Sequence, residues 1–378
     1  MLKPPRLRPG DTLAAVSLSW GGPGACPARY EAGKRQCEEE FGVRIVATRH
    51  ALRDPAWIAA NPKARADDLM EAFADPSIHG VVSTIGGEDS IRILRHLDLG
   101  VLRAHPKVFI GYSDTTVTHF ACFAAGLTSF YGPAIMSGFA ENGGMHRYLV
   151  DSVRRTLFTA EAAGEVSPNT DGWTVERVDW ADPASALKRR ALTPSAGWRW
   201  YVGGGNGAQS GGTVGRREQE PSPSRPASRD GTPESPHTIR GPLIGGCAEV
   251  LSWLPGTRVW PRPEAWDGAI FFLETSEEAP PQRDFRRWLR HFGEMGIFHR
   301  AGAVLLGRPG GALPVADHVK YDETLLGVVR DELGLASLPI VTGMDFGHTD
   351  PFFVLPYGVT AEVDCAARRF SIVEAAVT

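Results

Sequence analysis

The sequence predicts an α/β fold whose N-terminal part is a parallel sheet with helices on both faces. Over residues 1–160, short apolar runs alternate with segments that carry apolar residues at helical spacing. This alternation is typical of strand–helix–strand units, which build parallel sheets. The predicted strands are 13–18, 43–47, 80–85, 108–110 and 127–131, and the predicted helices are 29–41, 63–74, 89–97, 115–125 and 146–158.

The last third of the chain predicts a second unit of mixed strands and helices. Strands are predicted at 268–273, 303–306 and 340–341, a helix after Pro280-Pro281, and a closing β-hairpin at 359–363 and 370–373. We therefore expect an N-terminal domain (1–165), a connecting segment (166–240) and a C-terminal domain (241–378).

The connecting segment has an aromatic half and a polar half. Trp173, Trp180, Trp198 and Trp200 crowd the first half. They could anchor an extended connection to the body of the protein, or they could form a wall on which a planar substrate group stacks. Residues 203–237 are dominated by Gly, Ser, Pro, Arg and Glu, which predicts a flexible surface loop because such a segment buries little apolar surface.

Composition argues against several classes of partner. The chain has 378 residues and a net charge of −4, with acidic and basic residues interspersed, so no basic face for a nucleic acid is expected. No apolar run approaches the length of a membrane span, so we expect no membrane partner. The five cysteines are scattered and lack a C-x-x-C pair, which favours reduced thiols in a cytoplasmic protein over a disulfide framework or a zinc site.

Residues 107–120 contain the first candidate for chemistry, Ser113. An apolar run predicts a strand that ends at Gly111, and the next helix begins near Thr115, so Ser113 lies at the tip of a sharp turn. Such a turn exposes the hydroxyl and directs the first N–H groups of the helix at a developing oxyanion. The second glycine of the common elbow motif is replaced by Thr115, and a serine at a strand end often only caps a helix. Ser113 therefore needs a base and an orienting acid elsewhere.

A serine nucleophile usually takes histidine as its base. Among eleven histidines, His348 follows a predicted strand and lies in a Gly-His-Thr-Asp-Pro turn that could hold its side chain in a cleft. A turn histidine that bonds only local backbone is the alternative. His119 lies on the helix after Ser113 and points along it, so it is a poor base.

The base in turn needs an acceptor that fixes its tautomer. Glu274 ends the most apolar strand of the second unit and is either this acceptor or a helix cap. Asp345 and Asp350 are rival acceptors on the loop of His348. Glu277 and Glu278 are expected to be solvated.

Two glycines after the third predicted strand also have two interpretations. Gly86-Gly87 could be a tight turn that needs positive φ, or a turn whose bare backbone N–H groups approach a substrate oxygen. In parallel sheets, sites form at the carboxyl ends of the strands, so this turn and Ser113 could meet in one crevice.

Three stretches taken together resemble the LD-carboxypeptidase and microcin-immunity family of serine peptidases. They are Ile-Gly-Gly-Glu-Asp-Ser at 85–90, Gly-Tyr-Ser-Asp-Thr at 111–115, and Phe-Leu-Glu at 272–274 followed by Gly347-His348. Stretches 7–12, 131–133 and 241–246 support the resemblance, which covers nearly the whole chain outside roughly 205–238. The first stretch looks closer to the microcin-immunity branch, because the murein branch tends to carry an arginine before the glycines.

The resemblance implies a triad in which Ser113 is the nucleophile, Glu274 the orienting acid and His348 the base. It implies an oxyanion hole made by the backbone N–H groups of Gly87 and Asp114. It also implies a flavodoxin-like N-terminal domain, a smaller C-terminal mixed α/β domain of the swivelling β/β/α type, a homodimer, and no metal or cofactor.

Several functions remain open on this basis. The first is a serine carboxypeptidase or amidase acting on aminoacyl-nucleotide compounds related to microcin C, with Trp180, Trp198 or Trp200 as a wall against the nucleobase. The second is a cytoplasmic murein tetrapeptide carboxypeptidase that releases terminal D-alanine. The third is a non-catalytic binding protein on the same scaffold, and a generic esterase is a distant alternative. A substrate carboxylate would be held by glycine-turn amides such as that of Gly86, or by Arg308.

Overall fold

The computed structural model describes residues 1–203 and 238–378. The predicted flexible loop therefore lies, from residue 204 to residue 237, outside the described residues. The strands are β1 (Thr12–Val16), β2 (Arg44–Ala47), β3 (Gly80–Ser83), β4 (Val108–Gly111), β5 (Phe130–Tyr131), β6 (Ala162–Val166), β7 (Arg199–Tyr201), β8 (Thr238–Cys247), β9 (Ile270–Glu274), β10 (Ala303–Gly307), β11 (Ile340–Met344), β12 (Leu355–Pro356), β13 (Thr360–Asp364) and β14 (Arg369–Ala375).

Helices flank both sheets, and several follow the apolar periodicity of the sequence. They are α1 (Gly22–Ala25), α2 (Pro27–Phe41), α3 (Pro55–Ala60), α4 (Pro62–Ala74), α5 (Leu99–Ala104), α6 (Thr116–Ala124), α7 (Arg147–Leu157), α8 (Ala248–Leu251), α9 (Gln282–Glu294), α10 (Ile297–Arg300) and α11 (His318–Leu326), which continues as a π-helical stretch (Gly327–Glu332). Short 3-10 helices cover Ser90–His96, Ser113–Thr115, Pro183–Leu187, Pro263–Trp266 and Val315–Asp317.

The first sheet has the order β12-β5-β4-β3-β1-β2. Strands β1 to β5 are parallel, and their order 2-1-3-4-5 is the doubly wound, flavodoxin-like one. Strands β1, β3 and β4 are buried along their whole length, as continuous apolar runs in a parallel sheet require. Ligands bind beyond the carboxyl ends of such strands, where the strand order reverses between β1 and β3.

The second sheet has the order β6-β14-β13-β8-β9-β10-β11-β7. Its centre, β8 to β11, is parallel, and antiparallel strands extend both ends. The predicted α/β class, with an N-terminal parallel sheet and a second mixed unit, is confirmed.

The chain exchanges short strands between its two sheets. Strand β6, at the end of the predicted N-terminal segment, pairs with β14 of the second sheet, and β12 pairs with β5 of the first. The predicted strand 127–131 shortens to β5, because Leu127 forms a bridge with Leu2 instead of joining β4. Within the described ranges no helix is both long and apolar enough to cross a membrane, and no disulfide forms.

Candidate active site

Ser113 lies in a strained turn between β4 and α6. Its φ is 63°, in the left-handed region that non-glycine residues seldom adopt. Thr115, which stands where the second elbow glycine was expected, donates its hydroxyl to the Tyr112 carbonyl at 2.8 Å. Strain of this kind persists where the surroundings enforce it, and it is common at active sites.

His348 and Glu274 come from the second sheet and meet Ser113. Glu274 ends β9 with its side chain fully buried, and His348 lies on the loop after β11. His348 Nε2 is 2.9 Å from Ser113 Oγ, and His348 Nδ1 is 2.7 Å from Glu274 Oε2. The three side chains that were predicted on separate strand ends thus form one continuous hydrogen-bonded chain.

Tyr131 links the serine turn to the same carboxylate. Its hydroxyl accepts a hydrogen bond from the Ser113 backbone N–H at 3.1 Å and donates one to Glu274 Oε1. Both oxygens of Glu274 therefore have a partner, which fixes the plane of the carboxylate against His348. Tyr131 reaches this place because β5 lies beside β4.

Two glycines allow these segments to approach each other. A Cβ at Gly86 would lie 2.9 Å from Ser113 Cβ and 3.0 Å from Ser113 Oγ. A Cβ at Gly347 would lie 2.7 Å from Glu274 Cβ, and the φ of Gly347 is +98°. Side chains at these positions would push the serine, the acid and the histidine apart.

The predicted oxyanion donors lie on the two turns that meet at Ser113. Gly87 follows Gly86, whose missing Cβ would be 3.4 Å from the Asp114 backbone nitrogen. The Asp114 side chain is buried away from the cavity, where its Oδ2 accepts a hydrogen bond from the Ser90 N–H at 2.8 Å. Burial raises the pKa of Asp114 despite this bond.

A second carboxylate touches the histidine. Glu277, which was expected to be solvated, places Oε2 3.2 Å from His348 Nε2, although 50% of its side chain is exposed. Burial disfavours the imidazolium of His348, but the negative charges of Glu274, Glu277 and Glu249 outweigh burial and raise its pKa to about 9.

A cavity of about 730 Å³ opens beside Ser113 and His348. Ser113, His348, Gly86 and Gly87 form part of its lining, and so does Trp180. This volume suits a ligand the size of a nucleoside or a short peptide.

Domain models from known families match both parts of the chain. Residues 13–132 match the LD-carboxypeptidase N-terminal domain, and residues 240–363 match the LD-carboxypeptidase C-terminal domain. The chain belongs to the LD-carboxypeptidase family.

Curated members of the family resemble the chain over most of its length. A Vibrio cholerae serotype O1 protein named as a candidate carboxypeptidase is 26% identical and covers 98% of each chain. The Escherichia coli microcin C7 self-immunity protein MccF is 24% identical over 97% of this chain and 94% of its own. The murein tetrapeptide carboxypeptidase of Pseudomonas aeruginosa is 36% identical over 104 residues, 27% of this chain and 34% of its own.

Solved structures of family members superpose on the whole fold. An MccF-like protein from Streptococcus pneumoniae in complex with AMP matches with a TM-score of 0.79 and 26% identity, covering 96% of this chain and 98% of its own. MccF in complex with aspartyl sulfamoyl adenosine matches with a TM-score of 0.79 and 25% identity over both full chains.

Three predicted substrate contacts lie elsewhere in this member of the family. Trp198 is buried against Phe353 and donates its indole N–H to Asp345 Oδ2 at 2.8 Å. Trp200 lies in β7, opposite Val341 of β11. Neither tryptophan is among the described residues that line the cavity. For these two tryptophans the structure favours the anchoring alternative over the substrate wall, because both attach the connecting segment to the second sheet.

Arg308, one of the two candidates for holding a substrate carboxylate, is used in a buried ion pair. Its guanidinium is 2.6 Å from the buried Asp345 carboxylate and stacks on Trp173 at 4.9 Å, outside the lining of the cavity. The same contact removes Asp345 as an acceptor for His348. Asp350, the other rival acceptor, pairs with Arg190 at 2.6 Å.

His119 is excluded as a base, as the sequence indicated. Its ring is fully buried and bonded to Ser129 Oγ and to the Gly111 carbonyl, both at 2.9 Å. Burial lowers the pKa of His119 to about 3.

Sequence reasoning gave no role to Tyr131 beside the serine turn, to Trp20 and Arg29 in the cavity wall, or to the contact of Glu277 with His348. Trp20 follows β1, whose carboxyl end borders the reversal in strand order, so its position in the sequence was a usable signal. Arg29 and Glu277 carry no such signal, because charged residues on a helix and a loop are ordinarily solvated.

Proposed function

We propose that this LD-carboxypeptidase family member is a serine hydrolase that cleaves an acyl–nitrogen bond through an acyl-enzyme. The observation that carries the proposal is the continuous hydrogen-bonded chain from Glu274 through His348 to Ser113, with distances of 2.7 Å and 2.9 Å. Contacts of this length are within the reach that proton transfer requires. A non-catalytic scaffold would have no need of this convergence.

In the proposed reaction Ser113 Oγ attacks the scissile carbonyl carbon while His348 Nε2 takes the hydroxyl proton. Glu274 holds the ring through Nδ1 and stabilises the imidazolium. The imidazolium then gives its proton to the leaving nitrogen. Water enters, loses a proton to His348 and attacks the ester carbonyl carbon. The ester bond then breaks, the acid leaves, and His348 returns the proton to Ser113 Oγ.

The negative charge of the tetrahedral intermediate would be met by the backbone N–H groups of Gly87 and Asp114. These groups lie on two turns that approach within van der Waals contact beside Ser113. Fixed donors of this kind cost little reorganisation, and each contributes about 3 kcal/mol to lowering the barrier.

The preferred substrate class is an aminoacyl-nucleotide. Trp180 on the cavity wall offers a face for a nucleobase, and its ring centroid lies 6.4 Å from that of Trp20. Related proteins support this choice, since one was solved with AMP and MccF with aspartyl sulfamoyl adenosine. The similarity to the Pseudomonas aeruginosa murein tetrapeptide carboxypeptidase keeps a peptide ending in D-alanine as the second candidate. The cytoplasmic location and the homodimer stay predictions.

Mass spectrometry of two separate incubations tests the proposal. One contains aspartyl sulfamoyl adenosine and the other a murein tetrapeptide ending in D-alanine, each with the wild type, with Ser113→Ala and with Ser77→Ala. Ser77 is an exposed serine outside the cavity lining and serves as the matched control. We expect cleavage of the nucleotide, a loss of about 10⁶-fold in Ser113→Ala, and wild-type turnover in Ser77→Ala.

Other outcomes would change the substrate class or contradict the proposed reaction. Cleavage of only the tetrapeptide would assign the second substrate class and make Trp180 a packing residue. Cleavage of neither compound by the wild type, or equal cleavage by Ser113→Ala, contradicts the proposed chemistry.

A further inference from the structure

Arg29 is a nearly buried guanidinium in the wall of the cavity. It lies in the first turn of α2, only 7% of the residue is exposed, and it lines the same cavity as Ser113. Its Nε donates to the Met136 carbonyl at 3.0 Å, and its Nη1 donates to Asn142 Oδ1 at 2.5 Å. Both partners are neutral, so the side chain is fixed in place without its charge being neutralised.

No carboxylate among the described residues lies within ion-pair distance of Arg29. The two nearby acids, Glu141 and Asp350, both pair with Arg190. Burial lowers the pKa of Arg29 to about 10, even though the charges of those two acids act in the opposite direction. The guanidinium is therefore still charged near neutral pH, and its environment favours a further anion.

One nitrogen of Arg29 is left for that anion. Nη2 makes no hydrogen bond within the described part of the chain, yet it is not among the buried polar atoms that lack a partner there. Its donors therefore reach open space. The Trp180 ring covers the guanidinium at 5.0 Å, and the Trp20 ring centroid lies 6.4 Å from that of Trp180. An anion bound at Nη2 would thus lie beside an aromatic wall.

We propose that Arg29 binds an anionic oxygen group of the substrate, a carboxylate or a phosphate, and so sets the specificity of the cavity for a charged ligand. The planar fork of arginine suits both groups. The inference rests on the proposed function for its substrate classes, since a nucleotide supplies a phosphate and a tetrapeptide supplies a terminal carboxylate.

The other two arginines of the cavity lining are less suited to this role. Arg190 is neutralised by its two acids. Arg177 is exposed at the rim, where it donates to the Glu277 carbonyl at 3.3 Å. A cation in open water gains little from a single ion pair, whereas a desolvated one gains more.

Calorimetric titration in a Ser113→Ala background tests the inference without requiring turnover. AMP is compared with adenosine, and the murein tetrapeptide with its C-terminal amide, so that each pair differs only in its anionic group. The variants are Arg29→Gln, Arg29→Lys and Arg35→Gln. Arg35 lies on the same helix, is exposed and does not line the cavity, so its change removes one charge at a remote position.

In the protein with Arg29 intact we expect one anionic probe to bind about 10- to 100-fold more tightly than its neutral partner. Arg29→Gln should abolish that preference, Arg29→Lys should retain part of it, and Arg35→Gln should leave it unchanged. The pair that shows the preference identifies the source as phosphate or carboxylate.

The inference fails if neither pair shows a preference, or if the preference survives in Arg29→Gln. Thermal unfolding of each variant separates loss of a contact from loss of the fold. If Arg29→Gln does not fold, the inference is tested by Arg29→Lys, whose anion preference should be weaker than that of the protein with Arg29 intact. A loss of anion preference in a protein that cleaves neither compound would support this inference while contradicting the proposed chemistry.

Discussion

Two arginines of this protein stack on tryptophans in almost the same way and yet differ in what they can do. Arg308 lies 4.9 Å from the Trp173 ring centroid, and Arg29 lies 5.0 Å from that of Trp180. Arg308 is also 2.6 Å from the fully buried Asp345 carboxylate, whereas Arg29 bonds only a carbonyl and an amide oxygen. A stacked arginine therefore does not reveal its role until its counter-ion is known.

The physical reason lies in the cost of burying charge. A buried cation and anion compensate each other's loss of water, so a satisfied pair attracts no further ligand. A buried cation held by neutral groups is only partly compensated, and a ligand anion can supply the rest. On this argument Arg308 belongs to the architecture of the second sheet, and Arg29 belongs to the cavity.

The largest effect on stability should come from breaking the buried ion pair between Arg308 and Asp345. Asp345→Asn removes the charge opposite Arg308 and weakens the acceptor of the Trp198 indole, so the free energy of unfolding should fall by about 3–5 kcal/mol. Urea denaturation measures the change. Asp317→Asn, which removes an exposed partner of Lys320, is the control and should cost less than about 1 kcal/mol. An equal loss in both variants would contradict the distinction between buried and exposed pairs.

A second comparison should separate Trp180 from Trp198, two tryptophans that the sequence did not distinguish. Trp180→Ala should weaken binding of an aminoacyl-nucleotide by about 1–3 kcal/mol, because a base loses its stacking partner, with little change in stability. Trp198→Ala should instead lower the free energy of unfolding by about 3–5 kcal/mol, since Trp198 packs in the core. Calorimetric binding and urea denaturation of both variants check this. If Trp198→Ala folds normally but binds the aminoacyl-nucleotide less tightly, Trp198 would be a substrate contact, and the assignment of Trp198 to the core would be wrong.

The smallest effect should come from the exposed carboxylate at His348. Negative charge at Glu277 helps to raise the pKa of His348, so Glu277→Gln should lower that pKa. The neutral imidazole, which can act as a base, then forms at lower pH. The acidic limb of the profile of kcat/KM against pH therefore shifts to lower pH. The shift should be less than about one pH unit, because half of the Glu277 side chain is exposed.

Glu278→Gln is the control for this pH measurement. Glu278 is the adjacent residue and also lines the cavity, but it is not among the charges that raise the pKa of His348. We expect its profile to stay close to that of the wild type. An unchanged limb in Glu277→Gln would mean that the Glu277 contact does not persist in the working enzyme.

The sequence by itself determined the local elements and the strand ends on which the candidate triad lies. Apolar runs and helical spacing report which faces are buried, so β1, β3, β4 and β9 were predicted close to their observed bounds. Ser113, Glu274 and His348 were each found from their position after a strand, and the resemblance to the family connected them.

Only the tertiary structure decided which polar and aromatic side chains meet. Arg29 bonds Asn142 across 113 positions of the chain, and Trp198 bonds Asp345 across 147. No local pattern encodes such partners, because they depend on how β7 is added to the second sheet and how α2 packs beside the cavity. The sequence nominated Trp180, Trp198, Trp200 and Arg308 alike. Packing left only Trp180 of these four in the cavity wall, together with Arg29 and Trp20.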